Sequence, residues 1–189
     1  MSRALHTEST TAARLAARVA TRVANLEAAF RHVRATRMAS VPVLHPGLRV
    51  QAVGFEPEGG VGDALCGVLI TPWFMSLLRL PSQPLGSANT AWLSVGRKAM
   101  RAIGETEFEF IGASEHDLGV FETSSLFSPM FGFADHAAAL ATAQAVLGQL
   151  RTAQLPTPAA PAMPAKQATE PVPSRRGFLF GRGTSAGAL

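Results

Sequence analysis

Apolar side chains recur every three or four residues in two segments of the chain, one near its start and one beyond residue 135. The positions are Leu15, Val19, Val23, Leu26, Phe30 and Val33 in the first segment and Leu140, Ala143, Leu147 and Leu150 in the second. Because 3.6 residues make one helical turn, each set lies on one face of an amphipathic helix. We predict helices over residues 14–34, capped at Ser9, Thr10 or Thr11, and from Asp135 to about Thr152.

Between these segments, short apolar runs separated by turn residues indicate strands. The predicted strands cover residues 48–55, 64–71, 74–80, 106–113 and 118–126. The run over 64–71 is apolar on both faces, which is typical of a strand in the interior of a sheet. Residues 91–103 are ambiguous and favour a strand followed by a turn of helix. Two flanking helices and an antiparallel sheet of five or six strands predict an α+β fold.

The composition fits one globular domain followed by a different C-terminal segment. Of the 189 residues, 47% are apolar and 16% are charged, which suffices for one hydrophobic core. We assign residues 1–152 to a single domain, residues 153–173, rich in proline and alanine, to a flexible linker, and residues 174–189 to a C-terminal tail. The longest apolar run is too short to cross a bilayer. The single cysteine, Cys66, fits a reducing compartment, so we expect a cytoplasmic protein.

Basic charge is concentrated at the two ends of the chain. Residues 1–41 hold seven arginines and two glutamates, residues 42–152 hold six bases and ten acids, and residues 153–189 hold four bases and one acid. Arg14, Arg18 and Arg22 form a stripe on the first helix. We interpret it as a solvated face, with contact to an acidic partner or to the acidic middle of the chain as the second interpretation. A nucleic-acid binder that uses this stripe is an alternative function, although a uniform basic surface is not expected.

A near-repeat ends two of the predicted strands: Leu69-Ile-Thr-Pro-Trp-Phe74 and Leu126-Phe-Ser-Pro-Met-Phe131. Each segment stops a strand at a proline, which cannot donate a ladder hydrogen bond. One interpretation is that the large apolar residues around each proline fill the core. The other is a surface that binds apolar segments of a client protein, since methionine with aromatics suits such surfaces. Its candidate residues are Trp73, Phe74, Met75, Met130 and Phe131.

A row of carboxylates lies on the next predicted strand. Strand alternation puts Glu105, Glu107 and Glu109 on one face and the neighbouring phenylalanines on the other. Because no lysine or arginine occurs between Arg101 and Arg151, we expect no local base to neutralise them. The row is either an ordinary solvated face or a surface that recognises arginine, whose guanidinium bonds carboxylates in a bidentate manner.

Evidence for catalysis or metal binding is weak. A Gly-x-Ser-x-Gly motif at residues 183–187 is followed by no aspartate or histidine, and the histidines have no ligand partners at helical spacing. We therefore predict no catalytic residues, no metal and no cofactor. A hydrolase or transferase whose serine, histidine and aspartate converge only in the fold remains an alternative.

The chain carries the segment Ser174-Arg-Arg-Gly-Phe-Leu-Phe-Gly181, which is close to a twin-arginine export signal. Such a signal lies at an N-terminus and precedes an apolar segment and a cleavage site. We therefore do not expect the motif to export this chain. Its apolar residues differ from the preceding linker and indicate a segment that docks somewhere.

Taken together, these motifs resemble the HybE/HupJ family of nickel–iron hydrogenase assembly chaperones. The matching segments are the N-terminal helix, Leu44-His-Pro46, Gly67-Val-Leu-Ile-Thr-Pro-Trp73, Leu118-Gly119, Ser125-Leu-Phe-Ser-Pro-Met130 and Arg175-Arg-Gly-Phe-Leu-Phe-Gly-Arg182. The resemblance implies a cytoplasmic, non-catalytic accessory protein that helps mature an uptake hydrogenase before export. It implies the small-subunit precursor, with its twin-arginine signal, as the partner, and the large subunit as a second candidate.

The resemblance also suggests a role for the tail. Arg175, Arg176, Phe178, Leu179 and Phe180 would mimic the signal of the client and occupy the client site until they are displaced. The alternative is an ordinary terminal arm. In this hypothesis the aromatic and methionine cluster holds apolar client sequence and the carboxylate row attracts its arginines.

Overall fold

Two helices flank a single antiparallel sheet of six strands in the computed structural model of the chain, which describes residues 2–60, 63–83 and 92–152. The elements are α1 (Ser2–Ala35), β1 (Gln51–Pro57), a short 3-10 helix (Glu58–Gly60), β2 (Ala64–Ile70), β3 (Met75–Pro81), β4 (Lys98–Ile103), β5 (Thr106–Glu115), β6 (Gly119–Phe127) and α2 (His136–Thr152). The predicted α+β fold is confirmed.

The strand order is β1-β2-β3-β6-β5-β4, and every neighbouring pair is antiparallel. The chain forms two three-stranded meanders that join where β3 pairs with β6. This order makes β1 and β4 the edge strands. It also places β2 in the interior, as its unbroken apolar run predicts.

The two faces of the sheet are covered by different helices. Leu65 and Leu69 of β2 pack in a cluster with α1, whereas Val68 and Ile70 pack in a second cluster with α2. Because successive side chains of a strand point to opposite faces, one apolar strand serves both clusters. The α2 helix begins as predicted, since the Asp135 Oδ1 atom accepts the Ala138 N–H at 2.8 Å.

Two predicted elements differ from the structure. The α1 helix starts at Ser2 and passes through the proposed caps at residues 9–11, because no glycine or proline interrupts residues 2–35. Residues 98–103 form strand β4 with no helical turn. Pairing along the whole length of β4, from Lys98 opposite Ile111 to Ile103 opposite Thr106, satisfies backbone groups that a helix would otherwise use.

The interpretation of the arginine stripe as a solvated face is wrong for Arg22, whereas Arg14 and Arg18 are exposed. The side chain of Arg22 is buried and donates to the backbone oxygens of Pro81 and Leu118, at 3.0 and 3.3 Å. Arg18 donates to the Ser82 hydroxyl at 2.8 Å. Burial lowers the pKa of Arg22. These contacts tie α1 to one end of the sheet.

The predicted linker over 153–173 and the tail over 174–189 lie outside the described residues, so both stay predictions. Among the helices that the structure describes, none combines the length and the apolar character needed to span a membrane.

Candidate functional site

The two near-repeats are neighbours in the fold. The Met75 position at the start of β3 pairs with Phe127 at the end of β6. Just beyond this pair, the Ser128 hydroxyl lies 3.5 Å from the backbone oxygen of Trp73. The structure therefore brings together the β2–β3 turn and the segment that leads from β6 to α2.

Thr71 shapes the β2–β3 turn. Its hydroxyl accepts the backbone N–H of Phe74 at 2.9 Å and that of Trp73 at 3.3 Å, and donates to the Phe74 oxygen at 2.8 Å. The adjacent Pro72 oxygen accepts the His45 N–H at 2.8 Å. These bonds explain why a hydroxyl followed by proline ends β2, and they hold the two aromatic residues at the end of the sheet.

The five apolar candidates separate into buried and exposed members. Met75 and Met130 are completely buried in the core beside α2, so they offer no surface to a partner, and that part of the prediction is corrected. Trp73 and Phe74 are partly exposed, and Phe131 is 56% exposed. Both methionines belong to the hydrophobic cluster that includes Ala139 and Ala143 of α2.

The partly exposed aromatics are held firmly. Phe74 makes edge-to-face contacts with Trp73 and with Phe30 of α1, with ring centroids 5.6 and 5.8 Å apart. Phe127 is not among the candidates predicted from the sequence. It is 40% exposed and makes an edge-to-face contact with Phe133, with ring centroids 5.2 Å apart. Its position at a strand end, directly before a Ser-Pro pair, is the sequence signal that marks it.

The carboxylate row has the predicted strand geometry only for Glu107 and Glu109, and it has one unexpected partner. Glu107 and Glu109 are exposed on β5, and Glu105 is exposed in the β4–β5 turn. The expectation of no local base is wrong, because the Lys98 ammonium group on the adjacent strand lies 2.8 Å from Glu109. Among the described residues, Glu105 and Glu107 form no ion pair. A base distant in the sequence reaches Glu109 only because β4 folds back along β5.

The antiparallel topology puts the aromatic and acidic groups at the same end of the sheet. The β2–β3 turn, the end of β6 and the β4–β5 turn all lie where β3 and β5 begin. Glu107 and Glu109 continue from this end along the face opposite Phe110, which is buried in the α2 cluster. Exposed aromatic side chains and unpaired carboxylates therefore share one end of the molecule.

The patterns of the sequence do not predict a buried charge cluster around Glu122. Glu122 of β6 is completely buried and accepts hydrogen bonds from Arg101, Arg79 and the Leu93 N–H, and the Arg79 guanidinium lies 5.3 Å from the Trp92 ring centre. Burial alone would raise the pKa of Glu122, but the bonds from Arg101 and Leu93 and the charge of Arg79 outweigh it, so this pKa is lowered. The sequence signal for this cluster is the one charged residue in each of two otherwise uncharged strands, Arg79 in β3 and Glu122 in β6.

No catalytic arrangement is apparent in the described ranges. Burial, with a smaller contribution from the charge of Glu58, raises the pKa of the Cys66 thiol to about 12, which suppresses its reactive thiolate. The bonded pair of His116 and Asp117 is exposed in the β5–β6 turn. Within those ranges, no three histidine, cysteine or acidic side chains cluster closely enough to hold a metal ion.

The chain is similar to known proteins along most of its length. A family model described as "NiFe-hydrogenase assembly, chaperone, HybE" matches residues 21–181. Protein HoxT of Cupriavidus necator is 48% identical over 163 residues, which cover 84% of this chain and 87% of HoxT. The hydrogenase expression/formation protein HupJ of Bradyrhizobium diazoefficiens is 34% identical over 157 residues, covering 82% of this chain and 85% of HupJ.

The fold is also that of a solved structure. The solution structure of HybE from Escherichia coli superimposes with a TM-score of 0.52 over 87% of this chain and 91% of that one, at 22% sequence identity. The structural likeness alone shows the shared fold. Because the family model covers most of the residues and the sequence relatives align along most of both chains, the chain belongs to the HybE family of NiFe-hydrogenase assembly chaperones, which are not catalysts.

Proposed function

We propose that this chain works in the cytoplasm and binds the precursor of the hydrogenase small subunit through its twin-arginine signal before export. The large subunit and other maturation proteins are the further partners of this proposal. The observation that carries it is the sharing of one sheet end by exposed aromatic side chains and unpaired carboxylates. A twin-arginine signal offers two guanidinium groups followed by an apolar segment, which is the complementary chemistry.

The proposed binding surface, here called the client surface, consists of Trp73, Phe74, Phe131, Glu105, Glu107 and Glu109. The aromatic rings would cover apolar side chains of the signal, and large aromatic residues are frequent at the centres of protein interfaces. The carboxylates would accept hydrogen bonds from its arginines. Met75 and Met130 are completely buried and are not part of the client surface.

Co-purification of the small subunit, with and without its signal peptide, tests the aromatic part of this proposal. Trp73→Ala combined with Phe131→Ala should weaken capture of the signal-bearing form by roughly tenfold or more, because truncating interface aromatics costs about 2 kcal/mol. Val95→Ala is the matched control, since Val95 is 68% exposed and lies outside the client surface. Equal capture by the double variant and the control would contradict the assignment.

A charge test addresses the carboxylates. Glu105→Gln combined with Glu107→Gln should weaken binding of a free signal peptide and reduce the salt dependence of that binding, because exposed charges are screened by ions. Asp117→Asn serves as the control, since this exposed acid lies in the β5–β6 turn at the opposite end of the sheet. A salt dependence that stays unchanged in the double variant would argue against arginine recognition at this row.

The tail is the second part of the proposal. Arg175, Arg176, Phe178, Leu179 and Phe180 lie outside the described residues and would compete with the client for the client surface. Deletion of residues 171–189 should then tighten binding of a free signal peptide. Replacement of both arginines by serine, which keeps the length of the tail, should have the same effect. Unchanged or weaker binding in both variants would refute self-competition.

A further inference from the structure

The two edge strands of the sheet, β1 and β4, differ in whether side chains bond to their free backbone groups. Along β1, the Ala52 N–H donates to the Glu27 carboxylate at 2.9 Å, the Gly54 oxygen accepts a bond from Arg151, and Pro57 has no N–H to offer. Side chains thus occupy the free backbone groups of this edge. Natural sheets protect their edges in this way against pairing with other chains.

The β4 edge has no such protection among the described residues. Ile103 and Thr106 flank a two-residue turn, and the Gly112 N–H donates to the Arg97 oxygen at 2.8 Å, so odd-numbered residues of this segment bond to β5. The backbone groups of the even-numbered residues then point outward. In the described part of the chain, none of the outward groups of Lys98, Met100 and Ala102 has a hydrogen-bond partner.

A cleft lies beside the end of β4. It has a volume of about 300 Å³ and is lined by both edge strands, β2 and α2, which means that the sheet curves around the helix. Its apolar lining includes Ile103, Leu147 and Leu150, and its charged lining consists of Glu56, Glu58 and Arg151, with Glu56 paired to Arg151 and Glu58 paired to Arg79. Because Ile103 belongs to the cluster beside α2, a strand added next to it would send alternate side chains toward this cleft.

The opposite face of β4 and β5 is open. Met100 is 55% exposed and Ile111 is 37% exposed on the side that α1 covers elsewhere in the sheet. Glu107, which forms no ion pair within the described part of the chain, lies opposite Ala102, whose small side chain is exposed. A strand added beside β4 would lie about 10 Å from β5, so an arginine on that strand would reach across Ala102 to Glu107.

We propose that β4 accepts an extended segment of a partner protein as a seventh strand, with basic side chains directed toward Glu107 and alternate apolar side chains directed toward the cleft. Such strand addition supplies affinity through backbone hydrogen bonds and selectivity through alternate side chains. The Glu107 carboxylate, which forms no ion pair with a described residue, favours a basic side chain on the added strand, whereas Glu56, Glu58 and Glu109 already pair with Arg151, Arg79 and Lys98. The inference rests on the proposed function only for the partner's identity, a hydrogenase subunit precursor.

Amide hydrogen exchange of the full chain, alone and bound to the purified small-subunit precursor or large-subunit precursor, tests the binding mode. The amides of Lys98, Met100 and Ala102 should exchange at least about tenfold more slowly in the complex, because they gain hydrogen-bond partners. Those of Ala99 and Arg101, already bonded to β5, serve as the internal reference. Binding without added protection at β4 overturns the inference.

The remaining outcomes separate the two proposals. Protection of β4 by the large subunit alone supports strand addition with the large subunit as the partner, and it leaves small-subunit binding at the client surface to the tests given above. Protection already present in the isolated chain overturns the inference, because a second copy or residues 153–189 then occupy the edge. Binding of neither subunit overturns both proposals.

A variant pair tests the edge directly. Met100→Pro removes an outward-facing N–H without removing a bond to β5, since proline is tolerated on edge strands. It should weaken precursor binding roughly tenfold, whereas Met100→Thr, which keeps the N–H, should stay within about twofold of the unchanged chain. Urea unfolding of both variants confirms that each is folded. Equal binding by the folded proline and threonine variants contradicts strand addition at this position.

Discussion

Replacement of Glu122 by glutamine is the sharpest test of the packing described above. Glu122 is completely buried, and its carboxylate accepts bonds from Arg79, from Arg101 at 2.8 and 3.1 Å, and from the Leu93 N–H at 3.1 Å. Glutamine keeps the size of the side chain but removes the charge. Its NH₂ group would also face guanidinium donors, which leaves two arginines short of an acceptor.

The expected loss in the free energy of unfolding depends on whether Arg79 and Arg101 find other partners once the Glu122 carboxylate is removed. Breaking a buried ion pair costs about 3–5 kcal/mol when the remaining charge stays unpaired. Here Arg79 keeps its bonds to Glu58, and the Arg101 side chain is 31% exposed and can reach water. We therefore expect a loss of about 3 kcal/mol in the free energy of unfolding, near the lower limit of that range, and a fall in Tm of about 6–12 °C.

Urea unfolding at neutral pH measures this loss. Glu109→Gln is the matched control, because Glu109 also pairs with a base across neighbouring strands, but both side chains are about half exposed. Exposed pairs contribute about 0–1 kcal/mol. A loss below about 1 kcal/mol for Glu122→Gln, or a loss equal to that of the control, would refute the role given to the buried cluster.

The pH dependence gives a second measurement on the same pair of proteins. The pKa of Glu122 in the folded chain is lowered from its ordinary value of 4.5. Its contribution to stability is therefore complete above about pH 4.5 and is lost as the pH falls through the lowered pKa. The difference in stability between the unchanged chain and Glu122→Gln should shrink below pH 4.5. A difference that stays constant down to acid unfolding would contradict this linkage.

Three further predictions concern the scaffold. Gly112→Ala should destabilise the domain by more than about 2 kcal/mol in urea unfolding, because a Cβ atom there would lie 2.3 Å from a backbone oxygen, whereas Gly132→Ala, with open space, should be close to neutral. Arg22→Met should cost about 1–3 kcal/mol by leaving two backbone oxygens without their donor, and Arg14→Met, at an exposed position, should cost little; equal costs would contradict the anchoring role. Cys66 should react with iodoacetamide at pH 8 far more slowly in the folded chain than in urea, and stability should fall between about pH 9 and 12 because the pKa of the folded thiol is raised to about 12.

The local patterns of the chain predict its fold class and most of its helices and strands. Apolar spacing identifies both helices, a capping preference identifies Asp135, and turn residues between apolar runs identify the hairpin of β5 and β6. Each of these signals depends on residues close together in the sequence. The unbroken apolar run of β2 likewise identifies an interior strand. The predicted start of α1 is wrong, because the proposed caps at residues 9–11 lie inside the helix.

The candidate site was predicted only in part. Trp73, Phe74 and Phe131 lie at a partly exposed sheet end, but the methionines next to them in the sequence are core residues. Composition alone does not distinguish these cases, because burial depends on which face of a turn each side chain takes. The N-terminal segment with its seven arginines shows the same limit of composition as a guide to exposure. The Arg22 side chain is buried and donates to backbone oxygens of residues distant in the sequence.

Periodicity and short motifs predict the fold class, most of the elements and the family, because they depend on neighbouring residues. Which of the chemical groups meet depends on the tertiary structure. Lys98 reaches Glu109, two arginines converge on Glu122, and β4 becomes an unprotected edge because the strand order joins segments that are distant in the sequence. Contacts of that kind follow from topology and from burial, which local patterns do not encode.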